Sequence, residues 1–182
     1  MKQVPQPTAQ RYFYCPICGG SLNYRQYDDR QRLTCLQCNY ILYENPIVGV
    51  AAIVINEEGE LLLGCRRGGD YDGLWCIPCG YLEYDEDVYD GIKREFQEET
   101  NLLIDITRVF SVQSNFHDPE RHTVGIWFLA EVIGGTLQAG DDLDMVRYFA
   151  LDKIPRLAFP TDQVIIDLLR RERQAATNHH NR

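Results

Sequence analysis

Four glutamates and one arginine stand at spacings that bring them together: Glu86, Arg94, Glu95, Glu98 and Glu99. On a helix, Glu95 and Glu99 are four residues apart and Glu98 is three from Glu95, so their side chains converge on one region of the surface. Val88, Ile92 and Phe96, at i, i+4 and i+8, give residues 87 to 100 an apolar stripe that predicts packing against a sheet. Carboxylates crowded at the edge of such a face repel one another and lose hydration, a cost that a divalent cation removes. Hard oxygen ligands point to Mg2+ or Mn2+ rather than zinc. Arg94, four residues before Glu98, is placed to hold part of the cluster by a charge-assisted hydrogen bond. A plain solvated face would interleave Lys with Glu, whereas Lys93 and Arg94 are the only cations here.

Cysteines form a second pattern. Cys15, Cys18, Cys35 and Cys38 make two C-x2-C pairs at the spacing of a closed four-thiolate zinc site, each pair supplied by a tight knuckle. A disulfide framework is the alternative, and nothing in the N-terminus reads as an export signal. Cys65, Cys76 and Cys79 lie beside the acidic stretch. Cys76 and Cys79 are again C-x2-C, which leaves a redox pair or second metal site open beside the simpler reading of Cys79 as a small residue before Gly80.

The elements that must position these groups can be traced along the chain. Residues 1–11 read as a polar, mobile lead-in and residues 12–43 as a zinc ribbon, with short strands near Leu22 to Gln26 and Arg32 to Thr34. Residues 46–174 form the main domain. Ile47 to Ile55 is a β-branched, buried strand, and a turn at Glu57-Glu58-Gly59 leads into Leu61 to Arg66. After the acidic helix, Ile106 to Gln113, Thr123 to Val132 and Asp144 to Leu151 read as strands. A last helix from about Thr161 to Gln174 carries Val164, Ile165, Leu168 and Leu169 inward. The polar tail, residues 175–182, is expected to fray. Strands around two helices predict an α/β fold, an α/β/α sandwich with a mixed sheet. Gly91, one turn before Glu95, costs about 1 kcal/mol relative to Ala in a helix interior. It reads as a packing accommodation under the sheet or as room for a ligand above Glu95.

The stretch Gly80-Tyr-Leu-Glu-Tyr-Asp-Glu86 followed by Arg94-Glu95-Phe96-Gln97-Glu98-Glu99-Thr100-Asn101-Leu102 resembles the signature of the Nudix hydrolases. That signature reads Gly, five residues, Glu, seven residues, Arg-Glu-apolar-x-Glu-Glu-x-Gly-apolar, and only the last Gly is replaced, by Asn101. The family's Gly ends the helix with positive φ, which Asn tolerates next best. Cys38-Asn-Tyr-Ile-Leu-Tyr-Glu-Asn-Pro46 and Leu157-Ala-Phe-Pro160 are similar to segments of the subgroup with an N-terminal zinc ribbon, which includes FAD and ADP-ribose pyrophosphatases. NADH pyrophosphatases are more distant: their Ser-Gln-Pro-Trp-Pro-Phe-Pro stretch is replaced by Ser111-Val-Gln-Ser-Asn-Phe-His117.

The resemblance implies Mg2+- or Mn2+-dependent hydrolysis of a pyrophosphate that links a nucleotide to another moiety. FAD or ADP-ribose would come before NADH. Glu95 and Glu99 would be the principal metal ligands, Glu98 a further ligand or base, and the Cys79 carbonyl another ligand, with Arg94 and Glu86 orienting the cluster. Relatives place one more acid on a later loop. Met145 stands at the aligned position, with Asp141, Asp142 and Asp144 beside it. Trp75, Tyr81 and Trp127 are candidates to clamp the substrate's ring. The rival reading is a non-catalytic nucleotide sensor whose ribbon contacts nucleic acid or protein; dimerisation through the ribbon is a third.

Composition narrows the partners. A net charge of -9 argues against a general phosphate-backbone binder. Arg11, Arg25, Arg30 and Arg32 in the ribbon are partly offset by Asp28 and Asp29, so nucleic acid is not the expected partner. No apolar run approaches a membrane span. The expectation is a soluble cytoplasmic enzyme for a small nucleotide, possible as a homodimer.

Overall fold

The computed structural model describes residues 10–180, with side chains for residues 10–175. Most of the expected lead-in and the last two residues of the expected tail lie outside the described residues. The chain divides into two compact units, residues 1–46 with 118–121 and residues 47–117 with 122–182.

In the first unit, β1 (Leu22–Tyr27), β2 (Arg30–Cys35) and β3 (Ile41–Leu42) make an antiparallel sheet. Its small core is Cys15, Leu22, Leu33 and Cys35. So few apolar groups leave such a unit short of stabilisation without a cross-link or metal.

The second unit is built around β4 (Ile47–Val54), whose apolar run is buried over its last five residues. Such a run suits a strand covered on both faces. It lies between β7 (Cys79–Tyr81) and β9 (Thr123–Gly135), in a sheet ordered β7-β4-β9-β8 with β8 spanning Leu102–Asn115. The β4–β9 pairing is parallel and the other two are antiparallel, so the sheet is mixed. A second sheet orders β10 (Leu143–Phe149), β5 (Leu61–Arg66) and β6 (Trp75–Cys76).

Alternation along β4 sorts the core into two layers. Val50, Ala52 and Val54 pack with Phe128 and Ala130 under Ile92 and Phe96 of α1 (Val88–Thr100). Ala51 and Ile53 pack with Leu61, Leu63, Ile77 and Trp127 under Ile165, Ile166 and Leu169 of α2 (Pro160–His180). One helix thus covers each face, giving the expected α/β/α sandwich.

Two local expectations change. Val164 is 43% exposed and Ile166 takes the inward place, because the α2 face that meets the sheet is centred one residue later. Helix α2 also continues to His180 rather than ending near Gln174. Its continuation contains Ala175 and Ala176, strong helix formers, and no Gly or Pro to stop it. Among the described residues no helix is long and apolar enough to cross a membrane.

Candidate active site

Helix α1 is fixed at both ends. The Asp87 side chain caps its start by accepting the Tyr89 N–H at 2.9 Å. At its end Asn101 adopts the left-handed conformation, φ 56°, and its side chain donates to the Thr136 carbonyl at 2.9 Å. The exposed carbonyls of the last turn find partners in the loop before β10: Gln138 N–H donates to Thr100 O and Gly140 N–H to Glu99 O, each at 3.0 Å. A Cβ on Gly140 would come within 2.3 Å of the Glu98 carbonyl, so only glycine permits this approach.

The signature side chains meet around Arg94. Its Nε donates to Glu86 Oε1 at 2.7 Å and its Nη2 to Glu86 Oε2 at 2.8 Å, a bidentate pair. Its Nη1 reaches Glu95 Oε1 at 2.9 Å and Glu98 Oε2 at 3.1 Å. The Tyr81 carbonyl also accepts from Nη2, at 3.4 Å, tying α1 to the end of β7. One guanidinium therefore holds three carboxylates. The Arg94 bonds draw the Glu86 pKa down. Burial pushes that of Glu95 up, against the pull of Arg94.

Glu99 lies deeper. It is 1% exposed, and its Oε2 accepts the Cys79 N–H at 2.7 Å. Burial raises its pKa well above the usual carboxylate range, and nearby Cys76 and Asp142 add to the rise. Glu98, 51% exposed, is the most solvated of the set. Gly80 opens the space for Glu95: a Cβ there would lie 2.0 Å from its carboxylate carbon. At Gly91 a Cβ would meet Leu82 Cδ2 at 2.3 Å and Glu86 Oε2 at 2.9 Å. The missing side chain accommodates the Leu82–Glu86 segment rather than the sheet.

Three groups outside the signature join this centre. Arg66 of β5 pairs with Asp142 and lies over the Phe159 ring, 5.5 Å from its centroid. Asp142 Oδ1 is buried without a hydrogen-bond partner. Of the acids near Met145, Asp142 is thus the one that bears on Glu99, while Asp141 bears on Glu95. Asp162 at the start of α2 is 2% exposed and accepts the Ile77 N–H at 3.0 Å. Burial raises its pKa to about 7. The Trp127 indole N–H faces the same carboxylate without closing a hydrogen bond of normal geometry. Arg66 and Asp162 escape sequence reading because only the fold carries them to Glu99 and Cys79; a lone Arg and a lone Asp have no local signature.

The three expected clamp residues differ in exposure. Tyr81 is 47% exposed at the end of β7. The Trp75 ring packs edge-on against Phe149, with centroids 4.7 Å apart. Trp127 is 5% exposed within the α2-side core.

In the ribbon, the sulfurs of Cys15, Cys18, Cys35 and Cys38 all lie within 4.8 Å of one another. The Cys15–Cys38 and Cys18–Cys35 separations are 3.7 and 3.5 Å. A tetrahedral ion bonded to sulfur at about 2.3 Å sets sulfurs about 3.8 Å apart, so the cluster fits zinc. Backbone N–H groups of Ile17, Gln37 and Cys38 point at Cys15 and Cys35 sulfurs at 3.4 Å, as knuckles do around thiolates. The Cys35 pKa falls to about 6, led by the Cys38 N–H.

The donors on α1 and β7 fit a hard divalent cation. By type they are hard oxygens, the carboxylates of Glu95, Glu98 and Glu99 and the Cys79 carbonyl, and the carboxylates of Glu95 and Glu99 have raised proton affinity that a cation would offset.

Comparisons agree with this geometry. A family model described as NUDIX domain matches residues 45–169, and one described as Nudix N-terminal matches residues 14–44. An ADP-ribose pyrophosphatase of Methanocaldococcus jannaschii is 36% identical over 132 residues, 72% of this chain and 78% of that protein. A NUDIX hydrolase from Nitrosomonas europaea superposes with a TM-score of 0.72 at 30% identity, covering 83% of this chain and 86% of its own. An ADP-ribose pyrophosphatase from Streptococcus suis superposes with a TM-score of 0.53 at 25% identity, covering 63% of this chain and 81% of its own. With Glu95, Glu98 and Glu99 on α1 and the thiolate ribbon ahead of them, the chain belongs to the Nudix hydrolases as a pyrophosphohydrolase with the family's N-terminal zinc ribbon.

Proposed function

We propose that the chain hydrolyses the pyrophosphate of a nucleoside diphosphate linked to a second moiety, ADP-ribose or FAD before NADH, into two monophosphates. The carrying observation is Glu99 bonded to the Cys79 N–H, one turn from Glu95 and next to Glu98, both of which Arg94 holds. The names of the Methanocaldococcus and Streptococcus relatives support ADP-ribose.

Glu95, Glu98, Glu99 and the Cys79 carbonyl would hold Mg2+ or Mn2+. The ion's contribution there is to neutralise pyrophosphate charge and acidify a water. Arg94 and Glu86 fix the carboxylates so that little reorganisation remains at the moment of reaction. Glu98, the most exposed, would be a further ligand or the base that takes the proton of the attacking water. Asp142 adds a further carboxylate on the β10 side. Water attacks one phosphorus, the P–O–P bridge breaks, and its oxygen leaves with the other phosphate. Tyr81 is the clamp candidate open to a ligand, whereas Trp127 is buried in the α2-side core and Trp75 packs against Phe149. Cys15, Cys18, Cys35 and Cys38 hold a structural zinc.

A hydrolysis panel tests this reading: ADP-ribose, FAD, NADH and nucleoside triphosphates, each with Mg2+ or Mn2+. Equal release of two monophosphates, dependent on the cation, is the expected result. Pyrophosphate release from triphosphates alone would overturn the substrate class.

A further inference from the structure

The hairpin register of the ribbon gathers charge that the sequence scatters. Asn23, Arg25 and Tyr27 share one face of β1, and their partners on β2 are Thr34, Arg32 and Arg30. Arg25 therefore lies directly opposite Arg32, and Tyr27 opposite Arg30. The Arg32 guanidinium also sits over the Tyr43 ring, 4.8 Å from its centroid. Arg25, Tyr27, Arg30 and Tyr43 are exposed.

The alternate positions Leu22, Leu33 and Cys35 serve the ribbon's core and its sulfur cluster. Asp28 and Asp29, which offset the arginines in a count of charges, occupy the turn at the hairpin tip. Among the described residues, no carboxylate makes an ion pair with Arg25, Arg30 or Arg32. Like charges directly opposite on paired strands destabilise the pair. A local arrangement that opposes folding is expected where a surface serves a ligand.

We propose that the face formed by Arg25, Arg30 and Arg32 with Tyr27 and Tyr43 binds single-stranded nucleic acid. Charge complementarity selects a chain of phosphates, which guanidinium groups bind in paired hydrogen bonds. The exposed tyrosines select flat rings, because unpaired bases stack on such side chains. An acidic peptide supplies the charge without the rings, and a duplex keeps its bases turned inward. The net charge of -9 opposes long-range attraction, so the contact is short and local. The α1 carboxylates take no part in it.

Fluorescence anisotropy of the intact chain with a short labelled oligoadenylate tests the proposal. Three neutralised phosphates give a slope of log affinity against log salt near about -2, so doubling the salt weakens binding roughly fourfold. Replacing Arg25→Gln and Arg32→Gln together should bring the slope to about -0.7 and, at about 0.2 M salt, weaken binding by roughly tenfold. Ribbon metal content and pyrophosphate hydrolysis should not change in that variant. Tyr27→Ala should weaken binding and leave the slope alone. The proposal falls if no binding occurs at low salt, if the double variant binds as the parent does, or if polyglutamate binds equally well. It also falls if sedimentation shows the two arginines holding two copies of the chain together.

Discussion

Glu99 is buried, ionisable and bonded to a strand backbone, so removing its charge separates chemistry from folding. Glu99→Gln keeps an acceptor for the Cys79 N–H and removes a charge that burial disfavours. Turnover should fall by roughly 2 to 4 orders of magnitude, as when charge stabilisation of a transition state is lost, while the metal-free protein melts no lower than the parent. Retained turnover in steady-state assays would move the chemistry elsewhere. Asp162 gives a pH prediction. Its folded pKa is raised from 3.8 to about 7, so between those values the folded chain keeps a proton the unfolded chain has released. That contribution is full below the unfolded pKa and lost as pH rises through about 7, a swing of at most about 4 kcal/mol. Raised Glu99 acts in the same direction. Melting curves without added divalent metal should therefore show lower stability at pH 8 than at pH 5. Asp162→Asn, which still accepts from Ile77, should flatten the dependence; parallel curves for parent and variant would sink this account. At Gly80 the expectation is steric: Gly80→Ala drives a methyl into the Glu95 carboxylate, and kcat should drop with little change in the ribbon.

At the scale of elements, the end of α1 carries the one departure from the signature. Asn101 holds φ 56° and bonds Thr136 O, so Asn101→Ala loses both a tolerated left-handed residue and a hydrogen bond. Destabilisation of about 1 to 2 kcal/mol is expected in denaturant melts. A change within a few tenths would mean that the cap contributes nothing. Helix α1 and strand β4 were legible in the sequence because their signals are local: carboxylates at helical spacing, an apolar stripe, a β-branched run. Partnerships between distant segments were not legible. Nothing near Asp142 announces Arg66, and the choice among Asp141, Asp142 and Asp144 depends on how β10 pairs with β5. Trp75 and Trp127 read equally well as clamp or core, since an aromatic's role is set by what covers it. Val164 and Ile166 lie about 200° apart around α2, at opposite edges of its apolar stripe, so only packing decides which edge meets the sheet.

For the molecule as a whole, the two units rest on different supports, one on four sulfurs and one on a layered apolar core. Cys35→Ser should release metal and raise amide exchange across residues 12 to 43, leaving β4 and α1 protected. Exchange mass spectrometry with metal analysis checks this, and loss of protection throughout would show a single cooperative unit. The parallel pairing of β4 with β9 bears on how the chain is made. Strand β4 emerges from the ribosome long before its neighbour β9, so one flank of an apolar strand waits unpaired while α1 and β8 are synthesised. The ribbon, whose strand pairings are all short in sequence, can close and take its ion during that interval. Nascent chains stalled before Thr123 should then hold a finished ribbon beside an aggregation-prone, chaperone-dependent half-sheet.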